Sequence, residues 1–363
     1  MTEQISLPEL NYFFGKPSAS GDLRTQMADF KVFEQLPFSP MGEGEHYFLH
    51  IRKTGANTLF VARQLAKHFQ VKENAVTYAG LKDRFAVTEQ WFSVHVPGKA
   101  VFEIADIDIE GVEVLSGTRH NKKLKTGALT GNRFEITLRN ITDADELVRR
   151  FHAISAHGVP NYFGEQRFGI DGGNIEKAAA LFAGTKVKDK KKRGMYLSAA
   201  RSHLFNFLIS QRIEQQSFDK IMLGDVMMLA GTQSVFPVAS EEEIQSSLSQ
   251  RLHDKDIDIT APMWGAGDLM TSADAQVFEQ QVTELFPEFC RGLPKFGLKQ
   301  ERRRIRLVPT DCAIEIAQDE LSEDDASQKA VVSFFLPAGS YATTVMRELL
   351  SYRDLTQRAV PSA

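Results

Sequence analysis

Cysteine and tryptophan are scarce in this chain of 363 residues, which contains two of each. Two cysteines, Cys290 and Cys312, are too few for a disulfide framework or for a four-cysteine zinc site. We therefore expect both side chains to be buried thiols and the protein to work in a reducing compartment, the cytoplasm.

Long apolar stretches are also missing. No segment approaches the roughly 18 uninterrupted apolar residues that a membrane-spanning helix needs. The first residues, Met-Thr-Glu-Gln, lack the basic segment and apolar core of a signal peptide. The sequence thus predicts no membrane partner.

Signatures of nucleotide and metal enzymes are absent as well. The chain has no Gly-x-x-x-x-Gly-Lys-Ser/Thr loop, no Gly-x-Gly-x-x-Gly that opens a helix after a strand, and no His-Glu-x-x-His. His46 and His50 are four residues apart, but their segment has the pattern of a strand and not of a ligand-bearing helix. We expect neither a nucleotide cofactor nor a metal. A cofactor-dependent enzyme such as a methyltransferase is the weaker alternative.

The composition is that of a globular protein, with 42% hydrophobic and 25% charged residues. At about 150 residues per domain, the length predicts two domains. Strand and helix patterns mix over the first 155 residues, helical spacing dominates from about residue 161, and strand patterns return near Cys312. The pattern predicts a mixed α/β core interrupted by a helical insert.

Alternation and capping signals place individual elements. The predicted strands are Phe30–Gln35 and residues 47–53, 91–96, 134–140, 312–317 and 330–336. The predicted helices are residues 58–69 (capped by Asn57 or Thr58), Ala144–His157 and residues 174–182, 198–216, 241–252, 274–290 and 341–351 (capped by Ser340).

Positive charge is clustered although the formal net charge is −4. Three basic runs occupy residues 119–125, 186–193 and 299–306, whereas acidic residues concentrate elsewhere, as in Glu241–Glu243. A local positive field can hold a polyanion on a nearly neutral protein. A single run of this kind is more simply explained as a solvated loop, so surface charge and nucleic-acid binding both remain open.

One carboxylate, Asp83, has an unusual setting. It follows a strand-like segment and Gly80, which permits a tight turn, and Lys82 and Arg84 flank it. Neighbouring cations favour the ionised form of a carboxylate. An ionised carboxylate on a rigid turn suits a nucleophile or a base. From the spacing alone, an ordinary turn aspartate with solvated neighbours is the simpler explanation.

Two aromatic segments have properties of a nucleobase site. In residues 131–134, Gly-Asn-Arg-Phe, Asn132 can bond a base or phosphate and Phe134 can stack on a base. Residues 161–169 combine two glycines, three aromatics and an arginine. The alternatives are a turn leading into a core strand for the first segment and a packed loop at a domain junction for the second.

Together these segments resemble the TruD family of tRNA pseudouridine synthases. The segments that carry the resemblance, in the order of the family, are Phe30 and residues 80–90, 131–134, 159–169, 197–202, 336–343 and 347–349. They extend over nearly the whole chain.

The resemblance implies an α+β, V-shaped molecule of two domains. Residues 1–158 and 307–363 would form the discontinuous catalytic domain, the pseudouridine synthase core with its mixed, largely antiparallel sheet. Residues 159–306 would form the inserted TRUD domain. The resemblance further implies a monomer without cofactor or metal.

The resemblance also assigns residues to roles. Asp83 falls on the catalytic aspartate. The positions that would bind the substrate are Arg24, Phe30, Asn132, Phe134 and Tyr341. Of these, Phe134 would stack on the target base and Arg24 would pair with the aspartate.

Three segments depart from the family pattern. The usual Pro-Glu-Asp-Phe is Met-Ala-Asp-Phe at residues 27–30, Leu81 stands where glutamine is common, and Tyr341 replaces a phenylalanine. The hydroxyl of Tyr341 would need a polar partner if buried.

The implied reaction is isomerisation of uridine to pseudouridine at position 13 of tRNA, with Asp83 as nucleophile or base. The basic runs at residues 119–125 and 186–193 would hold the tRNA backbone. The competing hypothesis is a non-catalytic RNA-binding protein that retains the fold.

Overall fold

The computed structural model describes residues 9–98, 104–322, 324 and 326–356. They form two compact units. The sheet unit consists of the described residues of Pro17–His157, Val308–Ala342 and Leu349–Ala363. The helical unit consists of those of Met1–Lys16, Gly158–Leu307 and Thr343–Glu348.

Strands and helices both occur in each unit. The strands are β1 Ser20–Leu23, β2 Phe30–Gln35, β3 His46–Thr54, β4 Val76–Tyr78, β5 Val87–His95, β6 Val112–His120, β7 Gly131–Arg139, β8 Val159–Pro160, β9 Val226–Leu229, β10 Val235–Pro237, β11 Ile257–Met263, β12 Glu301–Arg304, β13 Arg306–Leu307, β14 Thr310–Gln318, β15 Gln328–Pro337 and β16 Ser351–Asp354. The helices are α1 Thr58–His68, α2 Ala144–His157, α3 Gly173–Phe182, α4 Lys190–Glu214, α5 Glu241–Glu243, α6 Ser249–His253, α7 Ala273–Leu285, α8 Pro287–Lys295 and α9 Ala342–Leu349.

The sheet unit is built on one large sheet. Within the described residues it has ten strands, in the order β14-β15-β7-β2-β5-β3-β6, with β1 added beside β7, β16 beside β1 and β4 beside β5. The pairs β2–β5 and β1–β16 are parallel and the others are antiparallel. This architecture confirms the predicted α+β class with a mixed, largely antiparallel sheet.

Helix α1 covers one face of this sheet. Asn57 caps it as predicted, because its side chain accepts a hydrogen bond from the amide of Leu59. The apolar side of the helix packs on a fully buried cluster of the strands and the helix, which includes Leu49, Ile51, Val61, Leu65 and Phe92. This core supports the loop between β4 and β5.

Strand β7 shows the predicted alternation. Phe134, Ile136 and Leu138 are buried, whereas Arg133 is exposed. At the start of the strand, a Cβ on Gly131 would collide with the carbonyl oxygen of Leu336 and with the ring of Phe335. Only glycine therefore allows β15 to approach β7 this closely.

The helical unit has more β structure than its spacing predicts. Around the 25-residue helix α4 lie α3, α8 and a four-stranded sheet, β10-β9-β11-β12. Strands β9 and β11 are short and almost entirely buried, and periodicity alone does not distinguish such runs from buried helix. The expectation of a mainly helical segment missed this sheet.

Two predicted helices near the C-terminal end differ from the structure. Residues 274–290 are predicted as one helix, but the structure has two, α7 and α8, separated at Phe286. The reason is that helical conformation is disfavoured for the residue before a proline, here Pro287. The last helix starts at Ala342 and ends earlier than expected, because Ser351 pairs with β1.

The cysteines also differ from each other. Cys290 is buried, and burial raises the pKa of its thiol to about 12. Cys312 is only partly buried, because it lies on β14 at the edge of the sheet, so the expectation of two buried thiols was wrong for this residue.

Candidate active site

The loop between β4 and β5, residues 79–86, holds Asp83 within the sheet unit. The Asp83 side chain is about one-third exposed, at 35%. Its main chain is fixed from the buried side, where the ammonium of Lys53 on β3 donates to the Asp83 carbonyl oxygen over 2.9 Å. The carboxylate is accessible while its backbone is anchored.

Buried polar side chains anchor the rest of this loop. Gln90 donates its amide to the carbonyl of Gly80 at 2.9 Å, and the amide of Lys82 donates to the hydroxyl of Thr58 at 3.1 Å. The hydroxyl of Thr58 in turn donates to the Gln90 side chain at 2.9 Å. Hydrogen bonds from α1 and β5 thus determine the path of the loop. A Cβ at Gly80 would meet no atom, so this glycine is not required by the turn as the sequence suggested.

Arg24 contacts the Asp83 carboxylate directly. Its two terminal nitrogens donate to Asp83 and to Asp354, each over 3.0 Å. The guanidinium is 4.3 Å from the centre of the Phe30 ring. Arg24 is buried and has a left-handed backbone, with φ of 58°. The side chain is thereby held between two acids and an aromatic face.

The two cations beside Asp83 in sequence have other partners. Lys82 forms a 2.6 Å ion pair with Glu34, whose side chain is fully buried and also accepts from the Trp91 amide. Arg84 donates to the carbonyl of Gly55 at 3.1 Å. The cation that the structure places on the Asp83 carboxylate is Arg24, which comes from a distant part of the chain.

Three phenylalanine rings form a column beside this ion pair. Phe30 meets Phe134 edge to face with 6.2 Å between ring centres, and Phe134 stacks on Phe334 at 5.6 Å with 29° between the planes. Phe134 is only 7% exposed. Sequence reasoning did not select Phe334, although its alternation on β15 marks it as facing the same side as Phe134.

Asn132 lies on the same face as Phe134, two residues earlier on β7. It pairs with Glu34 on one neighbouring strand and with Leu336 on the other. Its Oδ1 is buried and accepts no hydrogen bond from the described residues. Most buried acceptors in folded proteins have a donor, so this oxygen is available to a donor from outside the described chain.

Tyr341 is half-buried in the turn between β15 and α9. It lies four residues after Pro337, which pairs with Gly131 where the ends of β15 and β7 meet.

The structure brings three of the predicted site residues together: Arg24 forms an ion pair with Asp83 and lies over the ring of Phe30. Phe134 joins this group through its contact with Phe30.

Comparison with known proteins identifies the family. The family model for tRNA pseudouridine synthase D (TruD) matches residues 8–180 and 175–349. The chain belongs to the tRNA pseudouridine synthase D family. The predicted resemblance is confirmed.

Individual relatives agree over nearly the full length. The chain is 65% identical to tRNA pseudouridine synthase D of Colwellia psychrerythraea, over 97% of this chain and 95% of the relative. It is 47% identical to the enzyme of that name from Aeromonas salmonicida, over 96% of each. A crystal structure of the putative tRNA pseudouridine synthase D from Methanosarcina mazei has the same fold, with a TM-score of 0.68, 22% identity and 96% of each chain covered.

The basic run at residues 186–193 lies at the start of α4 in this member of the TruD family. Its lysines are exposed, and Asp189 caps the helix by accepting from the amides of Lys191 and Lys192 at 2.8 and 3.2 Å. Cations in the first turn oppose the helix dipole, which favours anions there. The charges of the lysines and the positive end of the helix dipole therefore add to one positive surface.

The cations of the basic run at residues 119–125 have two different settings. Arg119 donates to the carbonyl of Val96 and lies 5.6 Å from the ring centre of Tyr47, so it is part of the sheet structure. Lys122, Lys123 and Lys125 are exposed, whereas Leu124 between them is buried. Three cations of this run thus face solvent.

The run at residues 299–306 does not form an open basic surface. Arg302 makes a buried ion pair with Glu279 at 2.8 Å, and Arg304 pairs with Asp258 at 2.7 Å. Nucleic-acid binding and a structural role were both left open for this run, and the ion pairs favour the structural role, because alternate arginines of β12 pair with acids inside the helical unit.

Within residues 9–98, 104–322, 324 and 326–356, no group of three or more His, Cys, Asp or Glu side chains is arranged to hold a metal ion. Across that same part of the chain, no helix combines the length and apolarity needed to cross a membrane.

Proposed function

We propose that this protein isomerises uridine to pseudouridine at position 13 of tRNA, with Asp83 as the reacting carboxylate. Membership of the TruD family supports the reaction class. The observation that carries the choice of residue is the Arg24–Asp83 ion pair, which holds a partly exposed carboxylate beside an aromatic column.

The reaction exchanges one bond of the nucleoside for another. The bond from ribose C1′ to uracil N1 breaks, the base turns within the site, and C1′ bonds to C5 of the same base. The hydrogen on C5 leaves as a proton and N1 gains one, so the product is an isomer of the substrate. No external oxidant, reductant or group donor is needed.

Asp83 can serve in two ways. As a nucleophile it would attack C1′ and form a covalent intermediate. As a base it would remove the proton from C2′. Both roles need the ionised carboxylate, and the guanidinium of Arg24 donates a charged hydrogen bond to it over 3.0 Å. We leave the choice between these roles to experiment.

The target uridine must leave the helical stack before it can react. The Phe30–Phe134–Phe334 column supplies an aromatic edge of the site, and stacking on such a ring is worth about 1 to 3 kcal/mol per base. Asn132 would accept the imide N–H of uracil on its unpaired Oδ1. Tyr341 would contact the substrate from the turn after β15.

The backbone of the tRNA would bind the exposed cations. Lys190, Lys191 and Lys192 at the start of α4, and Lys122 and Lys123 after β6, are the exposed lysines of the two open runs that we assign to this role. Phosphate contacts position a nucleic acid without reading its sequence.

The proposal includes an assignment of the two units. The sheet unit would be the catalytic domain and the helical unit would correspond to the inserted TRUD domain, expected at residues 159–306. The helical unit also takes in residues 9–16 and 343–348. We further propose that the protein acts as a monomer in the cytoplasm, which light scattering and cell fractionation would test.

Tritium release from tRNA labelled at uracil C5 tests the function. Wild type should release tritium from tRNA with uridine at position 13 and not from the same tRNA with cytidine there. Asp83→Asn should abolish release, whereas Asp145→Asn, an exposed aspartate on α2, should not change it. Tight tRNA binding without release by wild type would instead support the non-catalytic RNA-binding protein.

A further inference from the structure

Lys53 is a fully buried lysine behind the loop that carries Asp83. It lies near the end of β3, between Thr88 of β5 and Val112 of β6, and none of its surface is exposed. Lysine is among the residues that are almost never fully buried unless paired. Its position therefore needs a specific explanation.

The ammonium of Lys53 makes no ion pair with a carboxylate of the described chain. It donates instead to two main-chain carbonyls, of Ala56 and Asp83, each over 2.9 Å. Burial lowers the pKa of Lys53 to about 8, with the charge of Asp83 acting to raise it and that of Lys82 to lower it further. The sheet unit thus holds this ammonium at a cost in desolvation.

The two carbonyls belong to different segments. Ala56 lies in the turn between β3 and α1, and Asp83 lies in the loop before β5. Lys53 joins both to β3, the strand between β5 and the edge strand β6. Side-chain and main-chain contacts of Asp83 are consequently separate: Arg24 holds the carboxylate and Lys53 holds the peptide.

We propose that Lys53 is a positioning residue for the isomerisation, which fixes the main chain of Asp83 so that its carboxylate reaches the ribose in the reactive geometry. This inference rests on the proposed role of Asp83. A methionine of similar length would fill the same space without a buried charge, so packing alone does not account for lysine here. The ammonium is retained for its directed hydrogen bonds.

The first test separates positioning from stability. Lys53→Met should lower kcat for tritium release by at least about thirtyfold, because small misplacements of reacting groups cost up to about 100-fold. KM for tRNA should change less than threefold, since Lys53 is buried away from any ligand. Val61→Ala, which removes buried volume from α1 in the same core, serves as the control of reduced stability.

The second test restores the missing group. Lys53→Ala is prepared in propylamine, which replaces the three methylenes and the amine that the substitution removes. The kcat should fall when the amine is withdrawn and recover when it is returned, whereas propanol should have no effect. This variant also serves if Lys53→Met does not fold.

The outcomes distinguish the two proposals. The role of Lys53 alone is overturned by either of two results. The first is that the kcat of Lys53→Met is no lower than that of Val61→Ala. The second is that Lys53→Ala folds and its kcat does not depend on the amine. No tritium release by wild type, or release unchanged in Asp83→Asn, overturns the proposed function and this inference with it.

Discussion

The guanidinium of Arg24 lies 3.0 Å from the carboxylate of Asp83, although 59 residues separate the two in the chain. Asp354 holds the other terminal nitrogen of the same guanidinium at 3.0 Å. The arginine is thereby oriented by one acid and presented to the other. The carboxylate is held by this charged hydrogen bond and is still about one-third exposed.

Arg24→Met should lower kcat by about 10- to 100-fold, since a charged hydrogen bond contributes about 1.5 to 3 kcal/mol and 1.4 kcal/mol is tenfold in rate. Methionine keeps much of the packing against Phe30 and removes the charge. Steady-state tritium release measures the effect. Arg353→Met, which breaks an ion pair with Asp22 in the same unit, is the control. A kcat within threefold of wild type would contradict a role for the guanidinium.

Asn132→Ala should lower kcat/KM for tRNA by about tenfold, because a donor left unpaired in a buried site costs about 1 to 3 kcal/mol. The physical basis is the buried Oδ1, which no described donor satisfies. Asn140→Ala removes an exposed asparagine just beyond the same strand and should leave kcat/KM unchanged. Equal values for both variants would remove Asn132 from the binding site.

Replacing Lys190, Lys191, Lys192 and Arg193 by glutamine should weaken tRNA binding and flatten its salt dependence. If each cation meets one phosphate, the slope of log K against log salt should decrease by about 3 to 4. The control replaces three exposed lysines outside the run, Lys72, Lys220 and Lys255. Filter binding between 50 and 200 mM salt, roughly the range where such effects are large, gives both quantities. An unchanged slope would show that the start of α4 does not contact the tRNA backbone.

His203 should make the helical unit sensitive to acid. Its ring is buried against Phe286 and Phe289, and burial lowers the pKa of His203 to about 4 from 6.5. Between those values the unfolded chain binds a proton that the folded chain does not, so stability falls as the pH falls from 6.5 to 4. The loss should reach up to about 3 kcal/mol, at 1.36 kcal/mol per pH unit.

Urea unfolding at pH 7 and at pH 4.5 tests this prediction. His203→Phe should lose less stability between the two than wild type does, because phenylalanine cannot be protonated. His253→Gln, an exposed histidine in the same unit, should behave as wild type. Equal losses in wild type and His203→Phe would show that other groups govern the acid response.

Several elements could be predicted from sequence because their causes are local. Alternation along β7 determines which side of the strand is buried, and the Asn57 cap depends on a neighbouring amide. Helix Ala144–His157 was predicted at its observed ends. The four-stranded sheet of the helical unit was missed, because short buried strands and buried helices have the same apolar composition.

The amino-acid sequence by itself determined the family, the α+β class and the candidate carboxylate, because their motifs are contiguous runs of residues. The family resemblance already paired Arg24 with this carboxylate, and only the tertiary structure decided which partners the cations beside Asp83 take and that Lys53 holds the Asp83 peptide. Lys82 and Arg84 are its neighbours in the chain but bind Glu34 and the Gly55 carbonyl, whereas Arg24 and Lys53 reach Asp83 from 59 and 30 residues away. Partners across such distances depend on how the strands assemble, and local patterns contain no record of that assembly.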